Sequence, residues 1–215
     1  LQNRAKKSRA ECNVLILEDS DKAVIDEPAA LLAAANQAGV KTVVDPKMKA
    51  LSTYRGASII KPNEKEFQYN VGAEVSGERL SQEASRLCEE LGFAGLVVTR
   101  GSDGMEVCSP DETRHIPARP VEVYDVTGAG DTTVAALAIG VALDWSLFEA
   151  AQVANVAASI AVSKSGTSPV TAPEVNRALS LRRHSQGMME RDELTREIDI
   201  ARQAGERILF TNGCF

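Results

Sequence analysis

Apolar and polar positions along the chain alternate between two rhythms. "NVLILE" (13–18) and "VKTVVD" (40–45) are short apolar runs of strand length. "ASIIKP" (57–62), stopped by Pro62, and "GLVVTRG" (95–101), ending in a glycine turn, are of the same kind. Between them the spacing becomes helical. "DEPAALLAAANQAG" (26–39) predicts a helix with Asp26 as N-cap, Pro28 in the first turn and Gly39 at its end. "NEKEFQYNVG" (63–72) predicts a short helix starting at Asn63. "SGERLSQEASRLCEELG" (76–92) sets Leu80, Ala84, Leu87 and Leu91 on one face. This alternation predicts an α/β domain with a largely parallel sheet.

"MEVCS" and "TRHIP" read as a hairpin around "PDE". Two helices then follow, over 131–143 and 147–163. Both are apolar nearly all round, which predicts burial or close packing on the sheet. From Ala172 the character changes: a short helix, a polar link (182–187), a charged amphipathic helix near 190–204, and the strand-like "RILFTNG". The 215 residues therefore read as one large domain and the opening of another.

Apolar residues make up 44% of the chain, enough for a sizeable core, and the net charge of −6 excludes a basic footprint for nucleic acid. The longest apolar run, Val134–Leu143, is far short of the roughly 20 residues a bilayer core requires. No apolar signal region follows the polar first residues. Cys12, Cys88, Cys108 and Cys214, with His115 and His184, give no zinc-ligand spacing. Isolated thiols of this kind read as small buried hydrophobes in a reducing cytoplasm.

Chemistry concentrates in "VYDVTGAGDTTVAALAIG" (123–140). A helix N-terminus presents free N–H groups and the positive end of a dipole. Gly128 and Gly130 let the backbone turn several N–H groups toward one anion. Asp131 stands where a carboxylate could accept a proton from an attacking hydroxyl, and phosphoryl transfer needs mainly these two parts. The plainer reading is a capping aspartate.

The longer string "DVTGAGDTTVAALA" resembles the second signature of the ribokinase-like, or PfkB-type, sugar kinases. The resemblance implies an α/β ribokinase-like three-layer fold, with Asp131 as catalytic base and Gly128, Ala129 and Gly130 as anion hole. "IIKPNEKEF" (59–67) resembles the family's Asn-x-x-Glu segment. It implies ATP contacts at Asn63, Glu64, Lys65 and Glu66, with Asn63 and Glu66 ordering Mg²⁺ through its waters. The alternative is an Asn N-cap and a surface Glu. "VVTRGSDGM" (97–105) is similar to the turn that lies along ATP, offering Thr99, Gly101 and Gly104, against an ordinary tight turn. In "FEAAQVANVAASIAVSKSGTS" (148–168), Asn155 either faces the adenine or pairs with buried backbone. Asp125, Thr127 and "KSGTS" resemble parts of a monovalent-cation (K⁺) site of some members.

"VVDPKMKALSTYRGASIIKPNEKEF", "EVYDVTGAGDT" and "SKSGTS" narrow the resemblance to the kinase half of the bifunctional heptose 7-phosphate kinase/heptose 1-phosphate adenylyltransferase family. That implies ATP-dependent phosphorylation of D-glycero-β-D-manno-heptose 7-phosphate at O1, in ADP-heptose synthesis for the lipopolysaccharide core. The tail from Met188 resembles that family's linker helix and the entry strand of its nucleotidyltransferase domain. The domain reading is 1–185 kinase, 186–206 linker helix and 207–215 first strand of the second domain. The resemblance places the lid and most sugar contacts before Leu1, and the His-x-Gly-His motif of adenylyl transfer after Phe215. That leaves the activity of the isolated segment open. It also implies a cytoplasmic homodimer of the full-length form, with no nucleic-acid or membrane partner.

Three positions depart from the pattern. Ser20 and Ala23 replace the tyrosine and glycine of Asp-Tyr-x-Lys-Gly, and Met48 replaces the glycine of Asp-Pro-Lys-Gly. If that glycine needs positive φ, Met48 strains or reshapes the turn. A PfkB-type kinase for another sugar or nucleoside, and a non-catalytic ATP-binding module, stand as alternatives.

Overall fold

The computed structural model describes residues 12–19, 27–166, 168–184, 191–203 and 207–209. The chain forms two compact units, Leu1–Val175 and Asn176–Phe215. Six strands build one sheet in the first: β1 (Val14–Glu18), β2 (Lys41–Asp45), β3 (Ile59–Ile60), β4 (Gly95–Thr99), β5 (Met105–Cys108) and β6 (Thr113–Ile116). Their spatial order is their chain order. β1 to β4 run parallel, and β5 and β6 are antiparallel to their neighbours. β2 and β4 are buried almost throughout, which suits the Val-rich runs of strands covered on both faces.

The crossover helices lie on one face. They are α1 (Pro28–Gln37), α2 (Glu64–Val71) and α3 (Gly77–Leu91). Leu80, Ala84, Leu87 and Leu91 of α3 are all buried, and they join Leu32, Phe67, Leu96 and Val98 in one core cluster. The other face is covered by α4 (Ala129–Ala142) and α5 (Leu147–Val162), whose alanines meet Val43, Val97 and Val107. The result is the three-layer arrangement that the family resemblance implies.

Several boundaries differ from the sequence expectation. Asp26 lies outside the described residues, and Glu27 precedes α1 without a side-chain cap. β3 spans only Ile59–Ile60, although Lys61 N still donates to Val44 O and Thr99 N to Pro62 O beyond its end. α4 starts at Ala129, so Asp131 sits inside its first turn. α4 is also not covered all round: Ile139 is 57% exposed, as is Leu143 just past its end. Met48 is exposed, and Asp144 is the one non-glycine residue with positive φ among the described residues. The glycine-to-Met departure therefore carries no backbone strain. Ser20 and Ala23 lie outside the described residues.

Past Thr171, α6 (Ala172–His184) runs through the first residues of the expected polar link. The second unit contains α7 (Arg191–Gln203), on which Leu194 is 43% exposed. Arg207–Leu209 are not in a strand, and the rest of the expected strand lies outside the described residues. Among the described residues no helix is long and apolar enough to cross a membrane.

α4 and α5 pack closely because Gly140 has no side chain. A Cβ there would stand 2.5 Å from Ala150 Cβ. Gly140→Ala should destabilise the domain by about 1–3 kcal/mol through overpacking. Urea titration should show a lower midpoint with an unchanged m-value.

Candidate active site

Parallel strands bring their carboxyl ends to one edge of the sheet, the usual place for a ligand crevice in α/β folds. Glu18 ends β1, Asp45 ends β2, Lys61 follows β3 and Thr99 ends β4. Asp45 Oδ1 is 2.9 Å from Lys61 Nζ, with both side chains only 4% exposed. Lys47 Nζ approaches the other Asp45 oxygen at 3.9 Å. Lys61 Nζ also lies 3.7 Å from where a Cβ on Gly130 would be, so its charge adjoins the first turn of α4. Carboxylate oxygens of Glu18, Asp45 and Asp131 lie within 4.8 Å of one another.

The mouth of α4 is built without a side-chain cap. Gly128 is the N-cap at φ 80°, a left-handed conformation that glycine adopts without strain. Ala129 N donates to Val126 O at 3.3 Å and Thr132 N to Gly128 O at 2.9 Å. The intervening amides of Gly130 and Asp131 have no acceptor among the described residues. Two N–H groups at the positive end of a helix dipole are a place for an anion. Asp131 is exposed beside them. Of the expected anion-hole trio, the Ala129 amide is already engaged, whereas the amides of Gly128 and Gly130, like that of Asp131, have no acceptor among the described residues.

Asn63 and Glu66 form a reciprocal capping box at α2. Asn63 Oδ1 accepts from Glu66 N at 2.9 Å, and Glu66 Oε2 accepts from Asn63 N at 2.8 Å. The N-cap alternative is therefore realised, but its glutamate is not a surface one: Glu66 is 5% exposed. Burial pushes the Glu66 carboxyl above its usual range; the Asn63 amide opposes this, the Asp45 charge adds to it, and Lys61 and Lys47 oppose it. Its Oε1 has no hydrogen-bond partner among the described residues. A buried carboxylate oxygen without a partner among the described residues, near the Asp45 carboxylate, is the hard donor chemistry that Mg²⁺ takes, so the residues fit that ion. Glu64 is held by Arg100 at 3.1 Å, and Lys65 is exposed.

A cavity of about 690 Å³ opens between the 99–104 turn, the segment after β6 and α5. It gathers Thr99, Gly101, Gly104, Ala129, Gly130 and Asn155 from the expected site residues. Asn63, Glu64, Lys65, Glu66, Gly128 and Asp131 do not line it. Asn155 Nδ2 donates to Pro117 O at 2.8 Å, so the backbone-pairing alternative holds for its amide nitrogen. Asp125 and Thr127 lie off the cavity. Asp125 Oδ1 accepts from Thr127 N at 2.8 Å, and its carboxyl is held low by the Thr127 hydroxyl and amide and by the Gly166 amide. That draws together the segments expected to hold a monovalent cation.

Sequence reasoning missed Glu18, Asp45 and Lys61. The signal was a charged residue ending or following an otherwise apolar strand, where a sheet's carboxyl edge must lie.

A raised carboxyl pKa favours the folded state when the group is protonated. The stability from Glu66 is therefore present below its unfolded value and lost as pH rises through its folded value. Glu66→Gln keeps an oxygen for the Asn63 amide and removes that titration. Thermal melts from acid to neutral pH should show the variant gaining on the wild type as pH rises. A constant difference would show that Glu66 does not titrate in this range.

Comparison with known proteins identifies relatives of the whole chain and of its fold. The bifunctional protein HldE of Pseudomonas syringae pv. syringae is 43% identical over 94% of this chain and 43% of its own length. That of Shewanella piezotolerans is 41% identical over 100% of this chain and 46% of its own. The chain thus spans less than half the length of these relatives. Among solved structures, Escherichia coli phosphofructokinase-2 in complex with potassium superposes with a TM-score of 0.74 at 21% identity, over 84% of this chain and 60% of that one. Arabidopsis thaliana ribokinase complexed with ribose and ATP gives 0.67 at 25%, over 83% and 58%. The fold is ribokinase-like. Residues 16–174 match the description "pfkB family carbohydrate kinase", and the chain belongs to that family of sugar kinases.

Proposed function

We propose that the protein transfers the γ-phosphoryl group of ATP to O1 of D-glycero-β-D-manno-heptose 7-phosphate, a step in ADP-heptose synthesis for the lipopolysaccharide core. The observation that carries the reading is the pairing of exposed Asp131 with the Gly128, Gly130 and Asp131 amides, which have no acceptor among the described residues, beside a nucleotide-sized cavity. Similarity to the bifunctional proteins favours the heptose over other sugars. In this reading Asp131 takes the proton from the anomeric hydroxyl. The Gly130 and Asp131 amides and the Lys61 ammonium face the charge of the transferring phosphoryl group. Glu66, with Asn63, would hold Mg²⁺ through its waters, supplying positive charge to the phosphates. Thr99, Gly101 and Gly104 run along the nucleotide, and Asp125 and Thr127 belong to a K⁺ site. Glu64 and Lys65 flank the nucleotide segment, Glu64 fixing Arg100. Residues 1–185 carry the kinase, 186–206 a linker helix and 207–215 the entry to a nucleotidyltransferase domain, in a cytoplasmic homodimer.

ADP release by the full-length gene product, measured against a panel of acceptors, tests the substrate. Heptose 7-phosphate should be preferred, with a 1,7-bisphosphate as product by phosphorus NMR. Preference for ribose or fructose 6-phosphate would move the assignment to another sugar. Nucleotide binding without turnover of any acceptor would leave a non-catalytic module. Asp131→Asn should lower kcat by about 10²–10⁴-fold with nucleotide affinity unchanged. Near-wild-type turnover would remove Asp131 as the base.

A further inference from the structure

Two cysteines lie outside the candidate site and take no part in its chemistry. Cys88 is on the buried side of α3, and Cys108 is the last residue of β5. Both belong to the core cluster between the helices and the sheet. α3 packs on β5, and Cys88 Sγ is 3.8 Å from Cys108 O. The two side chains meet. A hydrogen bond from the Cys88 thiol holds the Cys108 thiol down to about 7; burial opposes this, Thr113 and Ser85 add to it, and the Glu106 charge opposes it. Thr113 Oγ1 donates to Cys108 Sγ at 3.1 Å. The shared bond and burial push the Cys88 thiol up. One sulfur therefore gives up its proton while its neighbour keeps one, the division that thiol oxidation uses. Packing as small hydrophobes accounts for the burial of these residues, but not for their pairing.

Neither sulfur is exposed, yet the way in is short. Ser85 of α3 is exposed, Thr113 is half-buried, and the turn after Cys108 is exposed at Pro110, Asp111 and Glu112. Local opening of this hairpin admits a molecule as small as hydrogen peroxide.

We propose that Cys88 and Cys108 are a peroxide-sensitive dithiol that closes to a stabilising disulfide between α3 and β5. The Cys108 thiolate attacks one peroxide oxygen. The O–O bond breaks, and the departing hydroxide takes up the proton Cys108 released, forming water. Cys88 sulfur then attacks the Cys108 sulfenic acid. The S–O bond breaks, and the Cys88 proton leaves with the hydroxide as a second water. Two thiols have lost two electrons to one peroxide. The bond closes a 20-residue loop that contains β4 and the 99–104 turn. Disulfides of reducing compartments are transient and redox-sensing, and a thiol reductant reopens this one.

The full chain, with Cys12→Ser and Cys214→Ser to prevent bonds between molecules, is treated with hydrogen peroxide, alkylated under denaturing conditions and digested with trypsin. Residues 87–100 and 101–114 form separate tryptic peptides. Mass spectrometry should find them joined with the loss of two hydrogens, and dithiothreitol should separate them. Recovery of both as alkylated peptides after peroxide overturns the inference. The oxidised chain should melt about 4 °C or more above the reduced one. An unchanged or lower melting temperature removes the stabilising bond. The rate of closure should rise through about pH 7. A rise only near the ordinary thiol value of about 8.5 overturns Cys108 as the attacking sulfur. None of these readouts depends on the kinase reading.

Discussion

A lysine ammonium can remain buried at the edge of this sheet because a carboxylate meets it there. An unpaired charge at such a place costs several kcal/mol. Asp45 and Lys61 avoid that cost by sitting at the ends of neighbouring parallel strands, which lie about 4.8 Å apart. The ladder continues past the strand ends to hold them: Lys61 N donates to Val44 O at 2.8 Å, and Asp19 N to Asp45 O at 3.1 Å. The position of the buried cation is thus inherited from strand register. Gly130 and the free amides of α4 lie against a charge that the sheet has already placed.

The same edge concentrates negative charge. Glu18, Asp45 and Asp131 stand within one small region, with Glu66 close enough to feel Asp45, Lys61 and Lys47. Like charges this close repel, and the two lysines offset only part of it. A phosphate-bearing ligand would add to the imbalance. The compensation available from the chain is the helix terminus and the lysines, and a divalent cation is the natural complement to that donor set.

The architecture was legible from the sequence because each layer has a strong period. Leu80, Ala84, Leu87 and Leu91 lie on one stripe, and the Val-rich runs between glycine and proline stops are strands. The glycines ahead of Asp131 marked the helix mouth, because glycine takes without strain the left-handed conformation that Gly128 adopts there. What escaped were the partners that only a sheet assembles. Glu18, Asp45 and Lys61 are far apart in sequence and meet through parallel pairing, for which no residue spacing exists. Asn155 was readable as a buried polar group, but the carbonyl it chose, 38 residues away, was not. The all-apolar look of α4 foretold its packing on the sheet but not which face is covered, and Ile139 is exposed.

The Asn155–Pro117 hydrogen bond has a thermodynamic consequence. It fastens α5 to the segment following β6, while Gly104 lets the Ile116–Ala118 backbone pass where any Cβ would stand 2.1 Å from Ile116 O. Opposite walls of the cavity are thereby fixed relative to each other before any ligand arrives. Less ordering entropy is then left to oppose association, and the affinity of a modest apolar surface rests on preorganisation more than on the number of contacts it makes.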